Sequence, residues 1–187
     1  QKGLEGEEVP VTVYTNCDEL ELFLNGKSLG KKHIDHKAST ELQGHWKVPF
    51  EKGELLVNAL NEEGNIIATD VQKSFEDPVK LVLKSEKTSV LANGEDLAFI
   101  EITAADAAGN PVANAKNRVR VEVSGAGRLV GLDNGDSTDY EEYKCTSRRL
   151  FSGKLLAIVA PEKEPGDIKI TVTSKDLEAA TLTIPAV

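Results

Sequence analysis

Methionine is absent from this 187-residue sequence, aromatic residues make up only 5% of it, and there are two cysteines. Without methionine there is no initiator residue, so we interpret the chain as a fragment or a processed product. Two cysteines, Cys17 and Cys145, are too few to form the dense disulfide framework of small secreted scaffolds, and their spacing does not reveal the redox compartment. We expect two mostly buried thiols that are not paired with each other.

Positive charge and long apolar runs are also scarce. Lys and Arg total 22 against 31 Asp and Glu, which gives a formal net charge of −9. Because nucleic-acid binding depends on clustered Lys and Arg, and no basic stripe is present, we expect no nucleic-acid partner. The longest apolar runs, such as LLAIVA at 155–160, are far shorter than the roughly 20 residues that cross a bilayer, so we expect no membrane partner.

The dominant pattern in the sequence is alternation of apolar and polar residues with a period of two. These strand-like segments are separated by turn residues about every ten positions, and helical periodicity is almost absent. The segment 19–25 alternates in this way and ends in Asn25-Gly26, a pair that tolerates the positive φ of a tight hairpin turn. The pattern predicts an all-β protein made of Ig-like β-sandwiches.

The strand pattern is interrupted once, at FEDPVK (75–80), where Pro78 marks a boundary. Before it we predict strands over 9–15, 19–25, 27–34, 45–50, 55–60 and 66–75. After it we predict a second sandwich of about seven strands, which include 97–104, 118–123, 155–160, 167–173 and 181–184. The sequence therefore predicts two consecutive Ig-like β-sandwich domains, 1–76 and 77–187.

No motif in the sequence predicts a catalytic residue or a cofactor site. Ser-His-Asp spacing, a P-loop and a dinucleotide-binding fingerprint are all missing. Asn61-Glu62 lies in LNEEGN between two apolar strands, and the turn chemistry of Gly64 and Asn65 accounts for it without catalysis. We therefore predict that this chain is not itself an enzyme and binds no cofactor.

The sequence also gives only weak signals for a metal site. His33 and His36 form a pair in HIDH, but a tetrahedral site needs three or four converging ligands. The run DNGDSTDYEE supplies oxygen ligands, yet it lacks the regular alternation and the closing glutamate of a calcium-binding EF-hand loop. We predict surface histidines and a polar loop, and no metal site.

The long segment 133–149 is the best candidate for contact with a ligand or another domain. Long connections inside compact domains are usually functional or disordered, and this one combines aromatic anchors with many charges. Trp46, in contrast, alternates with Val48 and Phe50 and is predicted to belong to the core. The candidate contact residues are Asp133, Asn134, Asp136, Tyr140, Tyr143 and Arg148.

Two groups of motifs resemble a known family. VTVYTNCDELELFLNGKSLG, HWKVPFEKGELLVNAL and IIATD resemble the small β-sandwich that follows the catalytic barrel in family 2 glycoside hydrolases of the bacterial β-galactosidase type. LVLKSEKTSVLANGEDLAFIEITAADAAGNPV and SGAGRLVGLDNGDSTDYEEYKCTSRRLFSGKLLAIV resemble the C-terminal Ig-like domain of the same enzymes and, more distantly, bacterial Ig-like repeats. One departure is Ser137, where the family has proline after NGD.

The resemblance implies a non-catalytic C-terminal region of a β-galactosidase whose two catalytic carboxylates lie in a barrel outside this sequence. The implied partner is that barrel, in the same parent chain, and the implied location is periplasmic or extracellular. Two alternatives stay open: a carbohydrate-binding module, which would need exposed aromatic residues on one surface, and an adhesin-like Ig repeat, which would need tandem copies of the second domain.

Overall fold

The computed structural model describes residues 5–35 and 42–187, and all regular secondary structure in these residues is β-strand, which confirms the predicted all-β fold. No helix in this part of the chain is long and apolar enough to span a bilayer. Contacts divide the chain into two compact units, Gln1–Ser74 and Phe75–Val187. The strands are β1 (Glu8–Tyr14), β2 (Glu19–Leu24), β3 (Lys27–His33), β4 (Gln43–Pro49), β5 (Glu54–Leu60), β6 (Ile66–Lys73), β7 (Lys80–Ser85), β8 (Ala98–Ala105), β9 (Arg118–Gly125), β10 (Gly127–Asp133), β11 (Ser147–Arg149), β12 (Lys154–Pro161), β13 (Gly166–Ser174) and β14 (Leu177–Ala186).

The first unit contains a two-stranded sheet, β1-β4, and a four-stranded sheet in the order β3-β2-β5-β6. Since successive strand residues point to opposite faces, alternation places Leu20, Leu22 and Leu24 of β2 on one side, where they are buried. Trp46 and Val48 of β4 belong to the same buried cluster. The prediction that Trp46 is a core residue is therefore confirmed.

The hairpin between β2 and β3 forms where Asn25-Gly26 predicted it. Asn25 and Gly26 have φ values of 50° and 79°, the left-handed conformation that a tight hairpin turn requires. The Asn25 side chain also accepts a hydrogen bond from the Glu54 amide (2.8 Å) and donates one to the Lys52 carbonyl (3.2 Å). Gly53, at φ 138°, leaves room for that side chain, because a Cβ there would collide with it.

The second unit contains two four-stranded sheets, β10-β12-β8-β7 and β14-β13-β9-β11, which meet where β7 and β14 pair in parallel at Lys80 and Glu178. Inward-facing residues of both sheets are fully buried, among them Ile100, Ile102, Ile168 and Ile170. The result is a closed sandwich with a single large core.

Two strands of the second unit were not predicted. β10 contains glycine at 127 and 131, and its register with β12 shifts between Leu129 and Gly131, so a bulge breaks the alternation. β11 has only three residues, which is too short for a recognisable period. Cys17 and Cys145 are both only partly buried, which differs from the mostly buried thiols expected from the sequence.

Candidate functional site

The segment between β10 and β11 is an ordered loop held by a buried ion pair. The Arg148 Nε atom donates to Asp139 Oδ2 at 3.1 Å, and the two side chains are only 1% and 2% exposed. Arg148 Nη1 also donates to the Leu132 carbonyl at 2.9 Å. The guanidinium thus connects β11, β10 and the middle of the loop, which fixes the path of the segment.

Asn134 completes the buried network at the start of the loop. Its Nδ2 donates to Asp139 Oδ2 at 2.8 Å and to the Arg149 carbonyl at 3.1 Å, while its Oδ1 accepts from the Asp136 amide at 3.0 Å. Both ends of this amide are therefore satisfied, as a buried polar group requires.

Asp133 and Asp136 form local turns. Asp133 Oδ1 accepts from the Gly135 amide at 2.9 Å, and Asp136 Oδ1 accepts from the Thr138 amide and hydroxyl at 2.9 and 2.7 Å. These are the bonds of Asx-type turns. They shape the backbone and engage one oxygen of each carboxylate.

A second ion pair joins the loop to strand β9. Arg118 Nη1 and Nη2 donate to the two carboxylate oxygens of Glu141 at 2.8 and 2.7 Å, a bidentate arrangement. Arg149 lies 3.8 Å from the same carboxylate. Glu141 is consequently held between two arginines on the surface of the second unit.

These contacts lower the pKa of several loop carboxyl groups. The backbone amide of Glu141 is the main cause of the lowered pKa of Asp139, with Asn134 and Arg148 adding to it. The hydrogen bond from Arg118 lowers the pKa of Glu141, and those from Thr138 lower the pKa of Asp136. Each of these downward shifts therefore has its origin in hydrogen bonds and ion pairs within the second unit.

Tyr140 and Tyr143 are the aromatic residues of the loop, and both face solvent. Tyr140 is 97% exposed and Tyr143 is 63% exposed. The Tyr143 ring lies over the Arg148 guanidinium with 5.0 Å between its centroid and the arginine Cζ, so one face of this ring is already occupied. Tyr140 therefore offers the larger free surface for a contact outside the second unit.

The six predicted candidate residues thus separate by burial. Asn134 and Arg148 are buried, Asp133 and Asp136 are half-buried, and Tyr140 and Tyr143 are exposed. Asp133 and Asn134 also line a shallow depression of 290 Å³ together with Glu101 and Lys154, which form an ion pair at 3.2 Å. Whether any of these six residues contacts a ligand or another domain stays a prediction.

Sequence reasoning missed the role of Arg118 and the central position of Asp139. Arg118 lies at the start of β9, and nothing in its neighbourhood in the sequence connects it with Glu141, 23 residues later. Asp139 is not among the six candidate residues, although its carboxylate forms the buried pair with Arg148. A signal was available, since a long loop with many acidic residues and a pair of arginines at its end favours internal pairing.

Other residues weighed in the sequence lie outside any cluster. Asn61 forms the predicted turn, with its Oδ1 accepting from the amides of Glu63 and Asn65 at 3.1 and 2.9 Å. His33 lies exposed on β3, and His36 is outside the described residues. Within residues 5–35 and 42–187, no three His, Cys, Asp or Glu side chains are grouped to hold a metal ion.

Comparison with known proteins gives a consistent family. Residues 81–183 match the model of "Glycoside hydrolase family 2 C-terminal domain 5", and residues 6–68 match a "Domain of unknown function (DUF4982)". A β-galactosidase of Bacteroides ovatus, BoGH2A, is 36% identical over 97% of this chain and 21% of its own length. A putative β-glucuronidase of Formosa agariphila is 30% identical over 91% of this chain and 16% of its own.

A solved structure agrees with these relatives. A β-glycosidase from Bacteroides vulgatus superposes with a TM-score of 0.92 at 37% identity, over all of this chain and 23% of that one. The chain spans about a fifth of the length of the curated relatives it matches. From the family model over residues 81–183, we conclude that the chain belongs to glycoside hydrolase family 2, as a C-terminal region of proteins of the β-galactosidase and glycosidase type.

Proposed function

We propose that this chain is a non-catalytic accessory region of a family 2 glycoside hydrolase, which supports or shapes the catalytic domain of the same polypeptide during carbohydrate breakdown. The likeness to BoGH2A suggests a parent enzyme that cleaves β-galactosides. Glycoside hydrolysis uses two carboxyl groups about 5–10 Å apart, one of them with a raised pKa, on either side of the scissile bond.

One observation supports the non-catalytic role most strongly. The carboxylates of the best candidate loop are engaged by arginines and backbone amides, and the pKa shifts found at Asp136, Asp139 and Glu141 are downward. Shifts in this direction favour the charged form, whereas the acid of a glycoside hydrolase needs a raised pKa, and this difference supports a non-catalytic role for the three groups.

The isolated chain provides the first test. We expect no turnover of a nitrophenyl β-galactoside above that of a mock purification, because the catalytic carboxylates are proposed to lie in the parent's barrel. Reproducible turnover that is lost in a chain carrying Asp139→Asn, and not in one carrying Glu62→Gln, would overturn the proposal.

The supporting role is tested at Tyr140 in the full-length parent enzyme. Tyr140 is almost fully exposed in the second unit, so Tyr140→Ala should leave the unfolding temperature of the isolated chain unchanged. If the loop contacts the catalytic domain, the same substitution lowers the unfolding temperature or kcat/KM of the full-length enzyme. Leu91→Ala, at a residue that is 60% exposed outside the loop, is the matched control. Unchanged values for both variants would remove the loop from the supporting role.

A second candidate function, carbohydrate binding, is favoured by one specific observation. Tyr140 and Tyr143 place two exposed aromatic rings on one loop, which is the kind of surface that a sugar-binding module uses. Titration of the isolated chain with galacto-oligosaccharides tests it. Saturable binding that Tyr140→Ala weakens at least tenfold would support this function, and the absence of binding at millimolar sugar would exclude it for these ligands.

A further inference from the structure

An open apolar groove of 480 Å³ runs between strands β1 and β6 of the first unit. Its floor consists of inward-facing residues of β2 and β5, Leu20, Leu22, Leu55, Val57 and Ala59. Val11 and Val13 of β1 form one wall, and Ala68, Asp70 and Gln72 of β6 form the other. The two-stranded sheet therefore covers only part of the apolar face of the four-stranded sheet, and Val57 stays half-buried.

The edge of β1 beside this groove carries backbone N–H and C=O groups that point away from β4. The Thr15 amide donates to the Leu42 carbonyl at 3.0 Å, and bonded pairs alternate in an antiparallel ladder. Val11 and Val13 therefore bond to β4, while the backbone groups of Thr12 and Tyr14 point to the opposite edge. Among the described residues, β4 is the one strand that pairs with β1. Pro10 has no N–H on that edge, which limits the available ladder to its C-terminal half.

The same reasoning shows that the outer edge of β6 is closed to pairing at its centre. The Ser74 amide donates to the Gly53 carbonyl at 2.8 Å, so Asp70 and Gln72 bond to β5 and Val71 faces outward. The Val71 amide on that edge donates instead to Oδ1 of the neighbouring Asp70 side chain at 2.8 Å. Pairing is thus favoured at β1 and not at β6.

The second unit shows what occupies the corresponding position. The two units share one strand connectivity. The pair β1-β4 is equivalent to β8-β12, and the group β2-β5-β6 is equivalent to β9-β13-β14. In the second unit, β7 pairs antiparallel with β8 and also bridges to β14. β7 comes directly before β8 in the chain, and it closes the sandwich between the two sheets.

We propose that the groove is the binding site of a β-strand. This strand comes from the segment of the parent polypeptide that directly precedes the first unit. This strand pairs antiparallel with the free edge of β1 at Thr12 and Tyr14, and its alternate apolar side chains cover Leu55 and Val57. Asp70 in the groove wall favours a small, polar or basic residue opposite it. The proposal shares one premise with the proposed function, that the chain is part of a longer family 2 polypeptide, as its relatives are.

Hydrogen exchange on two chains tests the proposal. One chain is 1–187, and the other begins about twenty residues earlier in the same gene. Extension should slow exchange at the Thr12 and Tyr14 amides at least tenfold and leave the second unit unchanged. Because Trp46 is the one tryptophan and lies in the first unit, its fluorescence should report a higher unfolding temperature for that unit in the extended chain.

Two substitutions separate pairing from general stabilisation. Thr12→Pro removes an N–H that faces the groove. It should therefore change the unfolding temperature of 1–187 little, but abolish the increase in unfolding temperature that the extension gives. Val11→Pro is the control, because it removes an amide bonded to β4 and should destabilise both chains. If Thr12→Pro prevents folding, Ala68→Lys, at an exposed position in the groove wall, provides a second block to the incoming strand.

Three results would overturn the proposal. They are equal exchange at Thr12 and Tyr14 in both chains, equal effects of Thr12→Pro in both, and protection that appears in 1–187 alone as its concentration rises, which would identify a second copy as the occupant. None of these measurements involves catalysis or Tyr140. A failure here therefore leaves the accessory role intact, and a failure at Tyr140 leaves this strand intact.

Discussion

The two sandwiches of this chain share a strand connectivity but differ in how completely their sheets cover each other. In the second unit, four strands face four strands, and Ile100 and Ile170 are 0% exposed. Among the described residues of the first unit, two strands face four, and β5 is only half-buried along most of its length. Equivalent alternating sequences therefore bury different amounts of surface, because burial depends on whether an opposing strand is present.

The largest change in stability that would test this comparison is expected at Trp46, an aromatic residue in the core of the first unit. Trp46→Ala should destabilise the first unit by about 3–5 kcal/mol, the usual cost of truncating a buried aromatic side chain. Calorimetry should show the transition of the first unit at a lower temperature and that of the second unit unchanged. A transition that does not move would mean that the β1-β4 sheet contributes little to the fold.

Truncation of equivalent inward-facing residues compares the two cores directly. Ile170→Ala, in a closed core, should cost about 2–5 kcal/mol of the free energy of unfolding. Val57→Ala, in the open groove, should cost only about 1 kcal/mol, because this side chain is half in water before the change. Urea denaturation of each variant measures both values. Equal losses would show that the groove is closed in solution.

The two units should also respond differently to pH. In the second unit the hydrogen bond from Lys87 is the main cause that lowers the pKa of Asp96 from 3.8 to about 2, and the pKa values of Asp136 and Asp139 are also lowered. A lowered pKa in the folded state contributes stability above the unfolded value of 3.8 and loses it as pH falls towards the folded value. The transition of the second unit should therefore move to lower temperature between about pH 4 and pH 2.

The matched variant for this pH effect is Asp96→Asn, which removes the carboxyl group whose pKa is lowered to about 2. At pH 6 the unfolding temperature of the second unit should be lower in Asp96→Asn than in the unsubstituted chain. Between pH 4 and pH 2 it should change less in the variant than in the unsubstituted chain. At the alkaline end, the hydrogen bond to Glu19 raises the pKa of Lys31 in the first unit above 10.5, so any loss there begins only as pH rises past that value. A first unit that loses stability before the second on acidification would contradict the comparison.

The smallest effect is expected at Ser137, in the loop that distinguishes the second unit. The Asp139 amide donates to the Asp136 carbonyl at 3.0 Å, so Ser137 occupies the second position of a turn, where proline is favoured. Ser137→Pro should stabilise the second unit by about 0.4–1 kcal/mol by restricting the unfolded chain. A higher unfolding temperature for the second transition would confirm it, and a lower one would show that the Ser137 amide or its φ is needed.

Local pattern was sufficient where the period of two was unbroken. Residues 19–25 and 98–105 alternate cleanly, and both form strands whose apolar side chains are buried. β10 was not predicted because a bulge interrupts its register, and β11 because three residues have no measurable period. Turn chemistry was equally local, as at Asn25-Gly26 and Asn61, since those hydrogen bonds are made within a few residues or by a neighbouring strand.

The candidate site could be predicted only in part, because the sequence reports only interactions between residues that are close in the chain. Asx-type turns around Gly135 follow from the order of residues in the loop, and of the charged residues that pair there the sequence singled out Arg148. The choice of Arg148 for Asp139 and of Arg118 for Glu141 depends on where β9, β10 and β11 lie in space. Because partners 23 residues apart are brought together only by the sheet, no local pattern could have assigned them.

The sequence by itself determined the all-β class, most strands, the hairpin turns and the family resemblance, because these depend on residues close together in the chain. Only the tertiary structure decided which loop residues are buried, which face solvent and which part of the first unit is left uncovered. Burial and pairing are properties of two surfaces in contact, and one strand's sequence describes only its own side. The groove beside β1 is consequently visible in the fold and invisible in the alternation of Val9, Val11 and Val13.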